Sequence, residues 1–346
     1  MRHVVVACAF VLAAGLLLDG DLRAGNLEPP GPPGPTMKTI QQVEPRTPIS
    51  SLPFTIAAPG NYYLTSDLTG VAGQIGINIT TSFVTLDLNG FSLIGVPGSS
   101  DGIRATNPND QVRQVVIRNG VIRWWGGSGV SASTAFEVHA EDLRIEGNAS
   151  FGLIVGEGSI VRNTTSSQNG QTGIYASGEG TVIGCTARDN GSIGIGLNVG
   201  STATDCTALG NNVGFAVGSG ARVVHSTARL NVTGFTGMEA SSIEECSAYQ
   251  NSDDGIRVTN RALVRGNVAR INAGDGIEAT GNANRIEDNE SLENQFVGIR
   301  VSGTLNLIVK NSANGNPTEY SIAGGNQVGT ISTNPATAGP WANFDQ

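Results

Sequence analysis

The charged residues with the best prospects for chemistry lie in the second half of the chain, around the stretch NSDDGIRVTN at 251–260. Two carboxylates at a suitable separation can supply the acid and the base of glycoside hydrolysis. Acids that bind calcium opposite an arginine base can instead remove the α-proton of a uronate. The candidate catalytic set is Asp253, Asp254, Arg257, Asp275, Glu278 and Arg300.

A simpler interpretation of the same residues is favoured. Asp254 stands directly before a Gly-Ile pair, as do Asp101 and Asp275, and a turn residue is wanted at that position in any case. The arginines and the remaining acids can form a solvated surface on which opposite charges stabilise adjacent strands by small increments. Catalytic residues therefore remain unassigned at this level.

Aromatic and sulfur-containing side chains give two further candidates. Trp124, Trp125 and Tyr175 could stack on sugar rings, and the tryptophans could equally pack beneath the long early turns. Cys185 and Cys206 occupy equivalent positions 21 residues apart, so a disulfide between them is possible. Small buried thiols are the favoured interpretation. No histidine or cysteine occurs at ligand spacing, so no metal site is expected from these residues.

The elements that position these residues come from a repeat. A glycine followed by an apolar residue recurs from Gly76 to Gly298 at spacings of 20 to 27 residues, which predicts a solenoid. Triplets such as IYA and IEA alternate with period two, so the repeats are strands. An asparagine closes each repeat, where it fits a sharp turn with positive φ or a hydrogen-bonded ladder. The column is Asn148, Asn169, Asn190, Asn211, Asn231, Asn251, Asn272 and Asn294.

This repeat, of the form GI.V....I..N.A..N, resembles the right-handed parallel β-helix of the pectate-lyase-like superfamily over about residues 75–323. The resemblance implies an all-β, right-handed parallel β-helix solenoid, and the eleven anchors predict about eleven coils with N- and C-terminal caps. It also implies a polysaccharide or other cell-surface material as partner. The polygalacturonases of that superfamily carry Asn-Thr-Asp, Gly-His-Gly and Arg-Ile-Lys motifs, and this sequence has none of them.

The N-terminal sequence predicts export. Residues 1–24 have the basic, apolar and small-residue parts of a signal peptide, and no later segment is long and apolar enough for a membrane span in the mature chain. A Pro/Gly-rich linker follows at 25–48. We predict an N-terminal cap at 49–75, the β-helix at 76–325 and a C-terminal cap or tail at 326–346. The expected location is secreted, extracellular or periplasmic.

The net charge excludes one class of binding partner. A formal charge of −9 argues against nucleic acid, whose phosphates need a basic surface. We expect a non-catalytic carbohydrate-binding or structural module. The alternative is a lyase, epimerase or glycoside hydrolase that acts on an acidic polysaccharide. No cofactor is expected, except calcium in the lyase alternative.

Overall fold

The computed structural model describes residues 45–345, and residues 46–345 form a right-handed solenoid of stacked parallel strands. Each coil contributes strands to three surfaces, which we call faces 1, 2 and 3 in chain order. The predicted signal peptide and nearly all of the predicted linker lie outside the described residues.

Face 1 is a sheet of 13 parallel strands. Its strands are Phe54–Ile56, Ile77–Ile79, Ile103–Ala105, Val130–Ala132, Leu153–Val155, Ile174–Ala176, Ile193–Leu197, Val213–Val217, Thr233–Gly237, Ile256–Val258, Ile277–Ala279, Val297–Val301 and Thr318–Ile322. Each pairs in register with the strand of the next coil, so residues one period apart in sequence become neighbours about 4.8 Å apart.

Faces 2 and 3 form a second sheet of 26 strands. Face 2 holds Thr47–Ile49, Gly60–Leu64, Val84–Asp87, Ile160–Arg162, Thr181–Ile183, Thr202–Thr204, Arg222–Val224, Ser242–Glu244, Leu263–Arg265, Arg285–Glu287, Leu307–Val309 and Gln327–Val328. Face 3 holds Leu68–Thr69, Ser92–Ile94, Thr165–Ser167, Thr186–Arg188, Thr207–Leu209, Thr227–Arg229, Ser247–Tyr249, Val268–Arg270, Glu290–Leu292, Ser312–Asn314, Ile331–Ser332 and Asn343–Asp345. Val115–Arg123 and His139–Glu146 run through both faces, and Pro335–Thr337 is a short 3-10 helix.

The fold class is confirmed, but the predicted number of coils is too small. Face 1 has 13 strands where the glycine anchors predict about eleven coils. The two additional strands are Phe54–Ile56 and Thr318–Ile322, and neither begins with the Gly-apolar pair by which the coils were counted. These terminal strands each have a neighbouring coil on one side only, so they are under less constraint to keep the repeat pattern.

The interior is filled by aliphatic columns, with aromatic side chains at a few levels. Phe215 and Phe235 stack with their ring centroids 4.9 Å apart, and both are fully buried. Trp125 is 1% exposed, and its indole Nε1 donates to the carbonyl of Leu93. A Cβ at Gly76 would lie 2.6 Å from the Trp125 ring, so this position needs glycine to admit the tryptophan.

A ladder of asparagines closes the turn between face 3 and face 1, as the repeat predicts. Both the backbone N–H and the side-chain Nδ2 of Asn190 donate to Oδ1 of Asn211, at 2.9 and 3.1 Å. The left-handed conformation, however, belongs to the residue before each asparagine, such as Asp189 at φ 53°. The ladder therefore satisfies buried donors between coils rather than supplying the strained turn residue. Its members run from Asn148 through Asn169, Asn190, Asn211, Asn231, Asn251, Asn272 and Asn294 to Asn316.

Candidate functional site

The outer surface of face 1 carries the residues that the sequence singles out, one side chain per coil. In the three-residue strands the central residue points outward, as in Ile174–Ala176, and in the five-residue strands the fourth residue does so, as in Thr233–Gly237. In-register pairing therefore turns the sequence period into a continuous column. From Tyr175 onward this column is Tyr175, Gly196, Ala216, Thr236, Arg257, Glu278 and Arg300.

A shallow groove of about 230 Å³ lies where this column has its smallest side chains. Gly196 and Ala216 contribute to its lining, together with Tyr175, Thr236 and Met238. The Tyr175 ring packs over Gly196, where a Cβ would lie 2.6 Å from ring carbon Cδ2. The glycine thus leaves the space that the aromatic ring occupies against the neighbouring strand. Sequence reasoning left out Met238, although its place just after the Thr233–Gly237 strand could have indicated it.

Beside the groove, the six predicted charged residues come together in what we call the charged cluster. Arg257 is its centre: its guanidinium lies 2.5 Å from Oδ2 of Asp254, 3.3 Å from Oδ2 of Asp253 and 2.7 Å from Oε2 of Glu278. Arg300 pairs with Asp275 at 2.5 Å. Four carboxylates thus surround two guanidinium groups, so the cluster is negative when every member is ionised.

Asp254 and Asp275 also hold the backbone of adjacent coils. Oδ1 of Asp254 accepts the N–H of Asp275 at 2.8 Å, and Oδ1 of Asp275 accepts the N–H of Val297 at 2.9 Å. Asp101 accepts the N–H of Ser128 in the same way. These are the contacts of turn residues, and they occupy one oxygen of each carboxylate.

Burial makes Asp254 an unusually weak acid. Asp254 is 4% exposed, and its Oδ2 faces Arg257 without hydrogen-bond geometry. Burial raises the pKa of Asp254 to about 6, against the opposing effects of the Asp275 N–H and of Arg257. The geometry therefore gives a poised carboxyl group whose oxygens lie below the surface that a ligand could reach.

The two tryptophans have opposite environments. Trp125 is part of the core described above, so it is not available to a sugar. Trp124 is 53% exposed and its ring lies beneath the Arg123 guanidinium, 4.3 Å from it. It follows a strand of face 3, and it is not among the residues that line the face 1 groove.

The three cysteines of the described chain are buried free thiols. Cys185 and Cys206 donate to the carbonyls of Ile183 and Thr204, at 3.3 and 3.2 Å, and no bridge joins them. Burial raises the pKa of the Cys246 thiol to about 12, so that side chain is a neutral filler of the stack.

Among residues 45–345, no group of three or more His, Cys, Asp or Glu side chains is arranged to hold a metal ion. Within that same range, no helix has the length and apolar character needed to cross a membrane.

Comparisons with known proteins agree on the architecture. The family described as "Right handed beta helix region" matches residues 75–234. The A-module of the mannuronan C-5 epimerase AlgE6 of Azotobacter vinelandii is 14% identical, with a TM-score of 0.54 over 87% of this chain and 88% of that one. The AlgE4 A-module from the same organism is 14% identical, with a TM-score of 0.53 over 87% and 90%. No curated protein matches the sequence. At this identity the likeness shows the fold alone, and the chain folds as a right-handed parallel β-helix.

Proposed function

We propose that this protein binds a segment of a glycan chain along the outer surface of face 1, without transforming it. The observation that carries the proposal is the groove over Gly196 and Ala216, with the Tyr175 ring at one end and the polar Thr236 at the other. Carbohydrate sites combine a flat aromatic ring with a few fixed polar groups. The proteins of similar fold are named for mannuronan, which supports a polysaccharide ligand but does not carry the argument.

The charged cluster favours an uncharged glycan at this site. Arg257 is already shared among three carboxylates, so it offers little to a further anion. A uronate placed over Thr236 would approach a cluster in which acids outnumber arginines, and like charges repel most where water is partly excluded. The groove therefore suits neutral sugars better than polyuronates.

The test is a binding screen with the wild type and two matched tyrosine variants. The full chain is titrated with neutral and uronate-containing oligosaccharides by calorimetry. For any neutral oligosaccharide that binds, Tyr175→Ala should lower affinity at least tenfold, whereas Tyr63→Ala on face 2 should change it less than twofold. Equal losses in the two variants, or binding confined to uronates, would contradict the proposal.

One observation favours the enzymatic alternative, namely the raised pKa of Asp254 next to Arg257. A carboxyl group that titrates near pH 6 suits general acid–base catalysis, and calcium would be the cofactor if the reaction were a lyase reaction. The check is to follow reducing ends and unsaturated products with polysaccharides, with and without calcium. Turnover that disappears in a folded Asp254→Ala/Arg257→Ala variant would establish the alternative, and turnover that survives would exclude this cluster.

The proposal includes a location outside the cytoplasm. Its support is the signal-like sequence of residues 1–24. Recovery of the chain from culture medium or periplasm, without those residues, would be the expected result, and retention in the cytoplasm would contradict it.

A further inference from the structure

A second surface with a different charge pattern runs along face 3, and the face 1 proposal does not use it. Each face 3 strand there directs two side chains outward. The C-terminal outward residues of five successive coils form what we call the face 3 array: Arg188, Leu209, Arg229, Tyr249 and Arg270. Guanidinium groups thus occupy every second coil, about 9.6 Å apart at the usual strand spacing.

Two arginines of the array, Arg229 and Arg270, are unlike most other arginines of the protein. Arg222, Arg257, Arg285 and Arg300 each pair with a carboxylate. Arg229 and Arg270 have no carboxylate or hydrogen-bond partner for their guanidinium groups within residues 45–345. Both are exposed. In a chain with a formal charge of −9, two free guanidinium groups on one column are conspicuous binding groups for an anion.

Tyr249 orders these two groups. The guanidinium carbon of Arg229 lies 5.5 Å from the centroid of the Tyr249 ring, and that of Arg270 lies 4.8 Å from it. Strand pairing places the two arginines on the coils before and after Tyr249. Cation–π contact restrains both side chains but leaves their N–H edges available for hydrogen bonds. Restraint before binding lowers the entropy lost when a ligand binds.

The surroundings of the array indicate a polymer rather than a single anion. A column of hydroxyl groups runs alongside on the same strands, formed by Thr186, Thr207, Thr227 and Ser247. Arg229 and Arg270 are too far apart to share one carboxylate, and Leu209 and Tyr249 interrupt the charges at alternate coils. Arg188 also contacts Asp189 at 3.5 Å, but both side chains are about half exposed, so that pair is weak.

The opposite edge of the hydroxyl column is acidic and would orient a ligand. His225 lies there between Asp205 and Glu245, with Nε2 2.6 Å from the Glu245 carboxylate. An anionic chain would therefore place its acidic groups towards the array and its uncharged hydroxyls towards this edge.

We propose that the face 3 array binds a linear acidic polysaccharide in which a carboxylate-bearing sugar alternates with an uncharged one. The carboxylates lie against Arg229 and Arg270, with Arg188 extending the series. The uncharged sugars lie over Leu209 and Tyr249. This inference concerns a different surface from the face 1 groove and does not rest on it.

The test measures binding of the full chain to three polymers: hyaluronan, with a carboxylate on alternate sugars; polygalacturonate, with one on every sugar; and uncharged dextran. Hyaluronan should bind most tightly, because the extra carboxylates of polygalacturonate would be desolvated over Leu209 and Tyr249 without a partner. Added salt should weaken the binding. Dextran, which carries no carboxylate, should not bind to the face 3 array. Equal or tighter binding of polygalacturonate, or no binding of hyaluronan, would overturn the proposal.

Variants locate the binding surface. Arg229→Gln/Arg270→Gln should lower hyaluronan affinity at least tenfold. Arg162→Gln/Arg261→Gln removes the same charge elsewhere and should change affinity less than twofold. Equal losses in the two double variants would overturn the assignment.

Tyr249 provides a finer test that keeps both charges. Tyr249→Phe should retain hyaluronan binding, whereas Tyr249→Leu should weaken it several-fold, since only the phenyl ring preserves the stack. Tyr175→Ala should leave hyaluronan binding unchanged, so failure of this proposal is separable from failure of the face 1 proposal. Circular dichroism and thermal melting confirm that each variant is folded, and no loss in Tyr249→Leu would contradict the ordering role.

Discussion

Two buried carboxylates, Asp254 beside face 1 and Glu244 on face 2, show how differently this solenoid treats the same chemical group. They are 4% and 3% exposed, and each faces arginine. Burial raises the pKa of Asp254 to about 6. Burial has the same effect on Glu244, but its donors outweigh it and lower the pKa of Glu244 to about 2.

The difference lies in the donors that each carboxylate receives. Glu244 accepts from Nε of Arg222 at 2.7 Å and from the Ser242 hydroxyl at 2.6 Å, and it also pairs with Arg265. Asp254 has one backbone donor, and it shares Arg257 with two other acids. Both carboxylates are buried, so burial does not account for the difference between their pKa values. The number of donors that each one receives decides whether it stays ionised or can take up a proton near neutral pH.

The largest effect is expected at the better-satisfied carboxylate. Glu244→Ala removes the common partner of Arg222 and Arg265, and it should lower the free energy of unfolding by about 2 kcal/mol, less than a fully buried pair because both arginines reach water. Urea denaturation at pH 7 measures the change. Glu239→Ala, at an exposed ion pair with Arg261, should cost less than about 0.5 kcal/mol. If the two variants lost similar amounts of unfolding free energy, the donors around Glu244 would not be what stabilises it.

An intermediate effect is expected for the shared arginine. Arg257→Gln leaves Asp253, Asp254 and Glu278 without their common cation, and it should cost about 1 kcal/mol at pH 7. The cost should shrink at pH 5, because Asp254 can then bind a proton and remove one of the repelling charges. A cost that is independent of pH would show that Arg257 stabilises the coil by packing alone.

The last prediction concerns the pH dependence of Asp254 itself. Its pKa is raised from 3.8 to about 6 by folding, so its stabilising contribution is complete below pH 3.8 and is lost as pH rises through about 6. Glu244 has the opposite sign: its contribution is present above pH 4.5 and is lost as pH falls through about 2.

Between pH 7 and pH 5 only Asp254 of this pair should therefore respond. Wild-type protein should gain stability from it on acidification, and Asp254→Asn, which keeps an oxygen for the Asp275 N–H, should lack that gain. The measurement is the difference in the free energy of unfolding between the two pH values, compared between the two proteins. An identical difference would show that other groups account for it.

Much of this architecture could be predicted from the repeat, since in-register stacking converts a sequence period directly into contact between side chains. That is why the sequence period alone predicts that the members of the charged cluster, spread from Asp253 to Arg300, lie close together. The number of coils could not, because the strands Phe54–Ile56 and Thr318–Ile322 lack the glycine anchor.

The finer features depended on information that spacing does not carry. Which of Trp124 and Trp125 faces inward follows from the positive φ of 62° at Trp124, which reverses the alternation at the end of a strand. The groove depends on the Tyr175 ring lying over Gly196. The contrast between the pKa values of Asp254 and Glu244 depends on individual donor atoms. Neighbouring columns bring these atoms together, but no sequence motif predicts them.

The asparagine ladder has a consequence for how such a protein can change length. Each amide donates to the equivalent amide of the next coil, and most also donate to a backbone carbonyl of the preceding coil, so any coil offers its neighbour the same docking surface. Duplication or loss of one whole period would leave every remaining junction intact, yet it would shift the outer columns by one rung. Duplication or loss of a gene segment that encodes one period could therefore lengthen a binding surface or rearrange its charges. The core columns would keep their packing.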